Sequence, residues 1–203
     1  MTFRRWASLG ALLLVGASLA GCLARPIVRP QAPERHQRQS AGIEQEVLAA
    51  ARTGDWLVTR GYHATDAFVA HATGMPLSHA AVFNAETREV VEAEGEGVHR
   101  SPLADFVDRA ERVLVIRPRW RRDDNAAQAW SRAESLVGKG YDFLGVAGIN
   151  DPGRYYCSEL AVAVYRPWHS ERERFPPVIK PGELYLYGQV LYDSRDRTER
   201  VGD

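Results

Sequence analysis

Cys157 is the residue with the clearest capacity for chemistry, because a cysteine thiolate is a strong nucleophile. It begins a predicted helix in which Leu160, Ala161 and Val164 share one apolar face, the pattern of a helix packed on a sheet. The first turn of a helix lies at the positive end of the helix dipole, which favours the thiolate. The same position also suits an inert, buried cysteine, so position alone leaves both interpretations open.

A histidine partner is needed because Glu159, in the same turn as Cys157, opposes the effect of the dipole. Of the six histidines, His79 is the best candidate, since it opens an apolar strand that can hold the ring rigidly. His63 lies in a loop and could line a cleft. The other four are expected in solvent, at the surface or in packing roles: His36, His71, His99 and His169.

Glu92 is the candidate carboxylate for orienting that imidazole. Two apolar strands joined by residues 84–87 predict a hairpin. A symmetric turn about residues 85 and 86 places His79 directly opposite Glu92, with Cβ atoms about 4.5–5.5 Å apart. Glu94 then lies diagonally, roughly 7–8 Å away, and stays an alternative. Both acids could instead be solvated edge charges in an acid-rich stretch.

The composition excludes several other functions. Lys plus Arg and Asp plus Glu both total 26, and the resulting net charge of zero argues against nucleic-acid binding. With 2 cysteines, a disulfide-rich scaffold and a four-cysteine zinc site are excluded. The sequence has no metal-ligand spacing, phosphate loop or dinucleotide fingerprint. We therefore expect no cofactor and no bound metal.

The elements that must position these residues are short apolar strands and amphipathic helices. Strands cluster in the middle of the chain with helices around them, which predicts an α+β fold with a small antiparallel sheet. Strands are predicted at residues 55–60, 79–83, 89–93 and 113–116, with a short one around His99. Helices are predicted at residues 42–53, 66–73 with Asp66 as the cap, 101–110, 124–137 and 157–165.

The N-terminus has the layout of an export signal. Arg4 and Arg5 precede an apolar stretch at residues 7–20, which is shorter than the ~20 residues needed to span a bilayer. Its end, Leu19-Ala20-Gly21-Cys22, resembles the bacterial lipobox, in which cleavage occurs before a cysteine whose thiol carries lipid. A generic secretory signal and an N-terminal core helix are the alternatives.

This interpretation divides the chain into a lipoprotein signal peptide (1–21), a polar, proline-punctuated tether (22–41) and one folded domain (42–203). Acyl chains on Cys22 anchor the protein to a membrane. Leu23 rather than Asp follows Cys22, which by resemblance to sorted lipoproteins favours the outer membrane, facing the periplasm. Cys157 then has no intramolecular cysteine partner.

Five short motifs occur in one order: Gly54-Asp55-Trp56-Leu57-Val58, Arg60-Gly61, Ser78-His79-Ala80-Ala81-Val82, Val91-Glu92-Ala93 and Tyr156-Cys157-Ser158-Glu159-Leu160. This ordered set resembles the circularly permuted branch of NlpC-type papain-like cysteine hydrolases, the YiiX-like proteins. The similarity spans roughly residues 54–192. Residues 141–142 and 180–184 also fit later motifs of the family. The resemblance implies a permuted papain-like fold, in which histidine and acid precede the cysteine.

The resemblance assigns Cys157 as nucleophile, His79 as base and Glu92 as the orienting acid of a Cys-His-Glu triad. It implies hydrolysis of an amide or ester through a thioester, with the oxyanion held by the backbone N–H of Cys157 and a second donor that the sequence does not identify. Three further residues are candidates for the cleft wall, although simple packing is an alternative for them: Tyr141, Asp142 and Tyr156.

The substrate is the least determined part of the prediction. A lipoprotein of this family in the cell envelope is expected to meet peptidoglycan, so a cell-wall peptide bond is the leading hypothesis. The permuted branch also resembles lecithin:retinol acyltransferase-like enzymes, which makes a lipid ester or amide the second. The third is a non-catalytic lipoprotein that binds wall fragments, although a binding protein needs no thiol.

Overall fold

The computed structural model describes residues 32–62, 64–194 and 197. The predicted signal peptide, Cys22, the tether up to residue 31 and His63 lie outside these ranges. None of the helices in the described ranges is long and apolar enough to cross a bilayer. The elements in chain order are α1 (Pro33–Ala50), β1 (Trp56–Gly61), α2 (Ala64–Thr73), β2 (His79–Asn84), β3 (Glu89–Glu94), β4 (Gly97–Pro102), α3 (Leu103–Asp108), β5 (Ala110–Pro118), α4 (Ala126–Ser135), β6 (Gly140–Tyr141), β7 (Arg154–Tyr155), α5 (Cys157–Ala163) and β8 (Gly188–Asp193). Short 3₁₀ helices cover Gly145–Ala147, Arg166–Trp168 and Pro181–Tyr187.

Six strands form one antiparallel sheet in the order β4-β3-β2-β1-β5-β8, and β6 and β7 form a separate parallel pair. Successive side chains of a strand point to opposite faces, and both faces of this sheet are covered. Trp56 and Val58 therefore enter one apolar core, and Leu57 between them enters another. The predicted α+β fold with a small antiparallel sheet is confirmed.

Helices α4 and α5 cover one face, and α1 and α3 cover the other. The predicted apolar face of α5 is confirmed, since Leu160, Ala161 and Val164 are fully buried in the first core. The indole N–H of Trp56 donates to the backbone oxygen of Ala161 at 3.0 Å. This bond ties the helix that begins at Cys157 to the central strand of the sheet.

The β2–β3 hairpin differs in register from the prediction. Ala81, rather than His79, lies opposite Glu92. The connection spans residues 85–88, and Arg88 takes a left-handed conformation with φ 56°, so the turn is not centred on residues 85 and 86. A shift of two residues preserves the face of every side chain, because strands alternate with a period of two. Glu92 therefore keeps the predicted face and becomes a diagonal neighbour of His79.

The prediction that residues 33–41 belong to a tether is wrong, because α1 begins at Pro33. Proline suits the first position of a helix, where its missing N–H has no intrahelical partner. On this helix His36 lies 2.8 Å from the carboxylate of Asp108, and the Ser40 hydroxyl donates to the same carboxylate at 3.1 Å. The folded unit therefore starts earlier than the predicted boundary at residue 42, and His36 is not solvated as expected.

Candidate active site

Cys157 is the first residue of α5, as predicted, and its side chain is buried as a free thiol. Its two neighbours in sequence fix it to one peptide of another segment. The backbone N–H of Ile179 donates to the Tyr156 hydroxyl at 3.0 Å, and the Ser158 hydroxyl donates to the backbone oxygen of Ile179 at 2.6 Å. These two bonds hold the nucleophile candidate against residues 178–181.

Glu159, which was expected to oppose a thiolate, has a structural role. Its carboxylate accepts a hydrogen bond from the backbone N–H of Tyr156, the residue that caps α5. Burial raises the pKa of Glu159 above its usual range, and the nearby negative charge of Asp142 adds to this effect. A raised pKa means a smaller average negative charge, so Glu159 opposes a thiolate at Cys157 less than the sequence suggests.

His79 opens β2, as predicted, and its ring lies 5.9 Å from that of Phe106 on α3. Its Nε2 donates to a carboxylate oxygen of Glu92 at 2.7 Å, and the ring is also hydrogen-bonded to Cys157. Because Nε2 is held by Glu92, Nδ1 is the nitrogen left for the thiol. Burial by itself lowers the pKa of His79, but the hydrogen bonds with Cys157 and Glu92 outweigh it and raise the pKa well above its usual value.

Glu92 is fully buried and has a partner for each oxygen. Oε2 accepts from His79, and Oε1 accepts from the Ser101 hydroxyl and from Arg109 Nη2 at 2.7 Å. Burial alone raises the pKa of a carboxyl, but hydrogen bonds from His79 and His99 and the positive charge of Arg109 hold the pKa of Glu92 well below its usual range. An ionised Glu92 can fix the ring of His79 and stabilise its protonated form.

Three residues around Glu92 were not predicted to contribute to the site: Ser101, His99 and Arg109. Arg109 follows α3 directly and also donates to the alternative acid Glu94, at 2.9 Å. His99 Nε2 lies 3.5 Å from Glu92 Oε1, closer to the site than its expected surface role suggests. An arginine after a short helix has no local sequence signature, and only the packing of α3 beside β3 identifies it.

Ser78 supports the position of His79 from the preceding residue. Its hydroxyl donates to Asp66 Oδ1 at 2.7 Å and accepts from the backbone N–H of Gly61 at 3.2 Å. Asp66 lies inside α2 rather than capping it as predicted, and its carboxylate occupies the space that a Cβ on Gly61 would need. The Arg60-Gly61 motif therefore gives Asp66 access to Ser78.

A cleft of about 1130 Å³ opens beside Cys157 and His79. Tyr141 and Tyr156 line it, as predicted, together with apolar side chains of two further segments: Phe143, Val146, Ala147, Val178 and Ile179. Charged residues also reach the cleft wall: Asp66, Glu94, Glu96, Arg109 and Lys180. The cleft can therefore hold a substrate with both an apolar and a polar part beside the thiol.

The prediction that Asp142 lines the cleft is wrong. Its side chain is buried, and its carboxylate accepts hydrogen bonds from the backbone N–H groups of Leu144, Gly145 and Asp151, at 3.2, 2.7 and 3.0 Å. A short acidic side chain commonly folds back onto the chain in this way. Asp142 thus shapes the loop that carries Phe143 and leaves the cleft surface to its neighbours.

Two groups of side chains bring three possible metal-ligating atoms within 4.8 Å of one another: His79, Glu92 and Glu94, and Glu94, Glu96 and His99. Positive groups already neutralise them. Arg109 pairs with Glu92 and Glu94, and the hydrogen bond to Glu92 raises the pKa of His99. A histidine must be neutral to ligate a metal. In this arrangement the residues do not fit a cation.

Comparisons with known proteins agree with the motif order. Residues 51–175 match the sequence model of a family described as a permuted papain-like amidase enzyme, YaeF/YiiX, C92 family. A solved structure titled metalloprotein yiiX, from Escherichia coli O157:H7, is similar with 25% sequence identity and a TM-score of 0.50, covering 59% of this chain and 67% of that one. No curated protein matches the sequence.

Proposed function

Because the chain belongs to the permuted papain-like amidase family, we propose that it hydrolyses an amide bond through a thioester on Cys157. His79 is the general base and acid in this proposal, and Glu92 orients and stabilises its imidazolium. One observation carries the assignment: a single imidazole is hydrogen-bonded both to the buried carboxylate of Glu92 and to the thiol of Cys157. Three distant segments of the chain meet in this contact.

The first half of the reaction forms the thioester. His79 takes the thiol proton, and the Cys157 sulfur attacks the carbonyl carbon, forming a C–S bond as the carbonyl π electrons move to oxygen. The imidazolium of His79, stabilised by Glu92, then gives its proton to the amide nitrogen. The C–N bond breaks, and the amine leaves while the acyl group stays on sulfur.

The second half releases the acid and restores the thiol. His79 removes a proton from water, and the resulting oxygen nucleophile attacks the thioester carbon. The C–S bond breaks, the acyl group leaves as a carboxylic acid, and the sulfur regains its ion pair with the imidazolium. The cycle balances with one water consumed and needs no step through a metal.

Tyr141 is the second oxyanion donor in this proposal, beside the backbone N–H of Cys157. It lines the cleft. Burial raises the pKa of its phenol, and the negative charge that Cys157 carries as a thiolate raises it further. The hydroxyl therefore keeps its proton at neutral pH and can donate to a developing negative charge. Replacing Tyr141 with Phe should lower kcat more than it changes KM.

The leading substrate is a peptide amide of the cell wall, on the hypothesis that the protein is a lipid-anchored envelope protein. A lipid ester or amide is the second candidate, and the cleft supports it. The segments that face Cys157 across the cleft carry Phe143, Val146 and Val178, which suit an acyl chain better than a charged wall peptide.

The deciding experiment incubates the purified protein separately with muropeptides and with phospholipids or N-acyl amides, and identifies products by mass spectrometry. Cys157→Ala is the control in each arm. Cleavage of only one class, lost in Cys157→Ala, identifies the substrate class. Cleavage that persists in Cys157→Ala contradicts the proposed nucleophile. Binding of either class without any cleavage would favour the wall-binding or lipid-binding alternative over catalysis.

A further inference from the structure

Arg109 joins the two acids of β3 that lie nearest His79. Its Nη2 donates to Glu92 Oε1 at 2.7 Å, and its Nη1 donates to Glu94 Oε1 at 2.9 Å. The planar guanidinium thus spans two carboxylates with separate N–H groups, an arrangement that the single ammonium of a lysine cannot reproduce with the same geometry. The side chain is partly exposed and forms part of the cleft wall.

Both carboxylates are within reach of the imidazole. The ligand atoms of His79, Glu92 and Glu94 lie within 4.8 Å of one another, and the three side chains share one face of the sheet. Only one carboxylate can hold Nε2 at hydrogen-bond distance, and two neighbouring anions repel each other in a buried setting. A cation placed between them removes the repulsion and fixes which acid faces the ring.

The charged groups around Glu92 come from every element packed against it. His79 approaches from β2 and His99 from β4, Glu94 shares the strand, Arg109 approaches from the end of α3, and Cys157 lies beyond the imidazole. Each histidine is also needed elsewhere or only distantly placed: His79 must exchange its proton during the reaction, and His99 lies 3.5 Å from Glu92. Arg109 is permanently charged, so it keeps Glu92 compensated whichever proton His79 holds.

Arg109 is itself held in place. Its Nε donates to the backbone oxygen of Asp105 at 3.2 Å, and its guanidinium carbon lies 6.0 Å from the ring centre of Phe106. The opposite neighbour of that ring is His79, at 5.9 Å between ring centres. The end of α3 therefore positions the arginine and the imidazole through one aromatic side chain.

We propose that Arg109 is a positioning residue for the reaction, which bridges Glu92 and Glu94 so that Glu92 alone orients His79. This inference rests on the proposed function, because it gives the Cys157–His79 pair a catalytic role. It also accounts for the poor fit of the site to a metal ion, because the guanidinium occupies the position between the acids that a cation would take.

The test measures alkylation of Cys157 by iodoacetamide from pH 4 to pH 9, followed by mass spectrometry of the peptide that contains Cys157. Arg109→Gln should move the acid limb of the rate profile upward by about one unit or more, the size of an arginine effect on a neighbouring carboxylate. Below the limb this equals a rate about tenfold lower per unit. Arg112→Gln is the matched control, because it removes an arginine that pairs with Asp193 on β8.

Arg109→Lys separates charge from geometry. It should keep the acid limb near that of the unchanged protein but lower the rate on the plateau, because one ammonium does not fix both acids. Circular dichroism at pH 7 checks that each variant is folded, and if Arg109→Gln is not, Arg109→Lys carries the test alone. A limb and plateau equal to those of the unchanged protein in the folded variants would overturn the role of Arg109.

Failure of the proposed function gives a different result. If His79→Ala leaves the alkylation rate at neutral pH unchanged, the Cys157–His79 pair itself is wrong, whatever the Arg109 variants do. If His79→Ala slows alkylation and Arg109→Gln does not alter the profile, only the positioning role is wrong.

Discussion

His79 and Glu92 are hydrogen-bonded at 2.7 Å, although the residue opposite Glu92 in the sheet is Ala81. The imidazole therefore lies diagonally across the hairpin, at the end of β2. Ala81 packs in the core beneath α1 and α3, whereas Cys157 packs in the core beneath α4 and α5. A side chain at the strand end can contact both layers, which is why His79 reaches an acid on one face and a helix terminus on the other.

Replacing His79 with Ala should slow alkylation of Cys157 at pH 7 by roughly tenfold or more, because the thiolate loses the imidazolium that stabilises it. His71→Ala is the matched control, since His71 is an exposed histidine on α2. Iodoacetamide labelling followed by mass spectrometry gives the rates. Equal rates for the two variants would indicate an inert thiol.

Replacing Glu92 with Gln should flatten the acid side of the stability profile. The pKa of Glu92 is held below the usual value of 4.5, so its contribution to stability is present above that pH and is lost as the pH falls further. At pH 7 the variant should lose about 3–5 kcal/mol, because the buried positive partners become unpaired. Thermal unfolding between pH 3 and pH 7 measures both effects.

Glu86→Gln, in the exposed turn of the hairpin, is the control for that series. Its unfolding temperature should follow that of the unchanged protein at every pH. A Glu92→Gln variant that loses stability on acidification as steeply as this control would contradict the depressed pKa of Glu92.

Replacing Gly54 with Ala should destabilise the fold more than the same change at Gly153. Both glycines have positive φ, at 88° and 87°, so both substitutions incur a backbone cost of about 1–2 kcal/mol. A Cβ on Gly54 would in addition lie 2.6 Å from the Tyr165 hydroxyl, which donates to the backbone oxygen of Gly54, whereas Gly153 has open space. The difference in unfolding temperature between the two variants isolates this contact, and equal temperatures would show that it contributes nothing.

Replacing Cys22 with Ser should remove the proposed lipid anchor. Cells that express the unchanged protein should retain it in the membrane fraction, and the variant should move to the soluble fraction because acyl chains supply the binding energy. Intact mass of the purified protein reports the acyl chains directly. Continued membrane association of an unacylated Cys22→Ser variant would exclude the lipobox interpretation.

The sequence was sufficient for the parts of the fold that follow simple periodicity. Strands β1, β2 and β3 and the apolar face of α5 are where alternation and helical spacing predicted them. The permuted papain-like fold, predicted from the order of the motifs, is confirmed by the family match over residues 51–175.

Other elements had no such signal. Only Val47 of α1 is listed among the fully buried side chains of its helix, so the first turns carry no apolar period. The edge strand β8 is half exposed and lacks alternation. The hairpin register depended on the conformation of Arg88, which no residue type announced. The shift preserved the face of Glu92, and the candidate acid therefore remained beside His79.

The two hydrogen bonds from Tyr156 and Ser158 to Ile179 make one peptide group serve two sides of the cleft. Ile179 belongs to the wall, and the residues that bond it flank the nucleophile. A ligand that pushes this wall outward must therefore drag the thiol with it. Substrate shape and sulfur position are in this way mechanically coupled, and a bulky but poorly fitting molecule would displace the reacting atom as it entered.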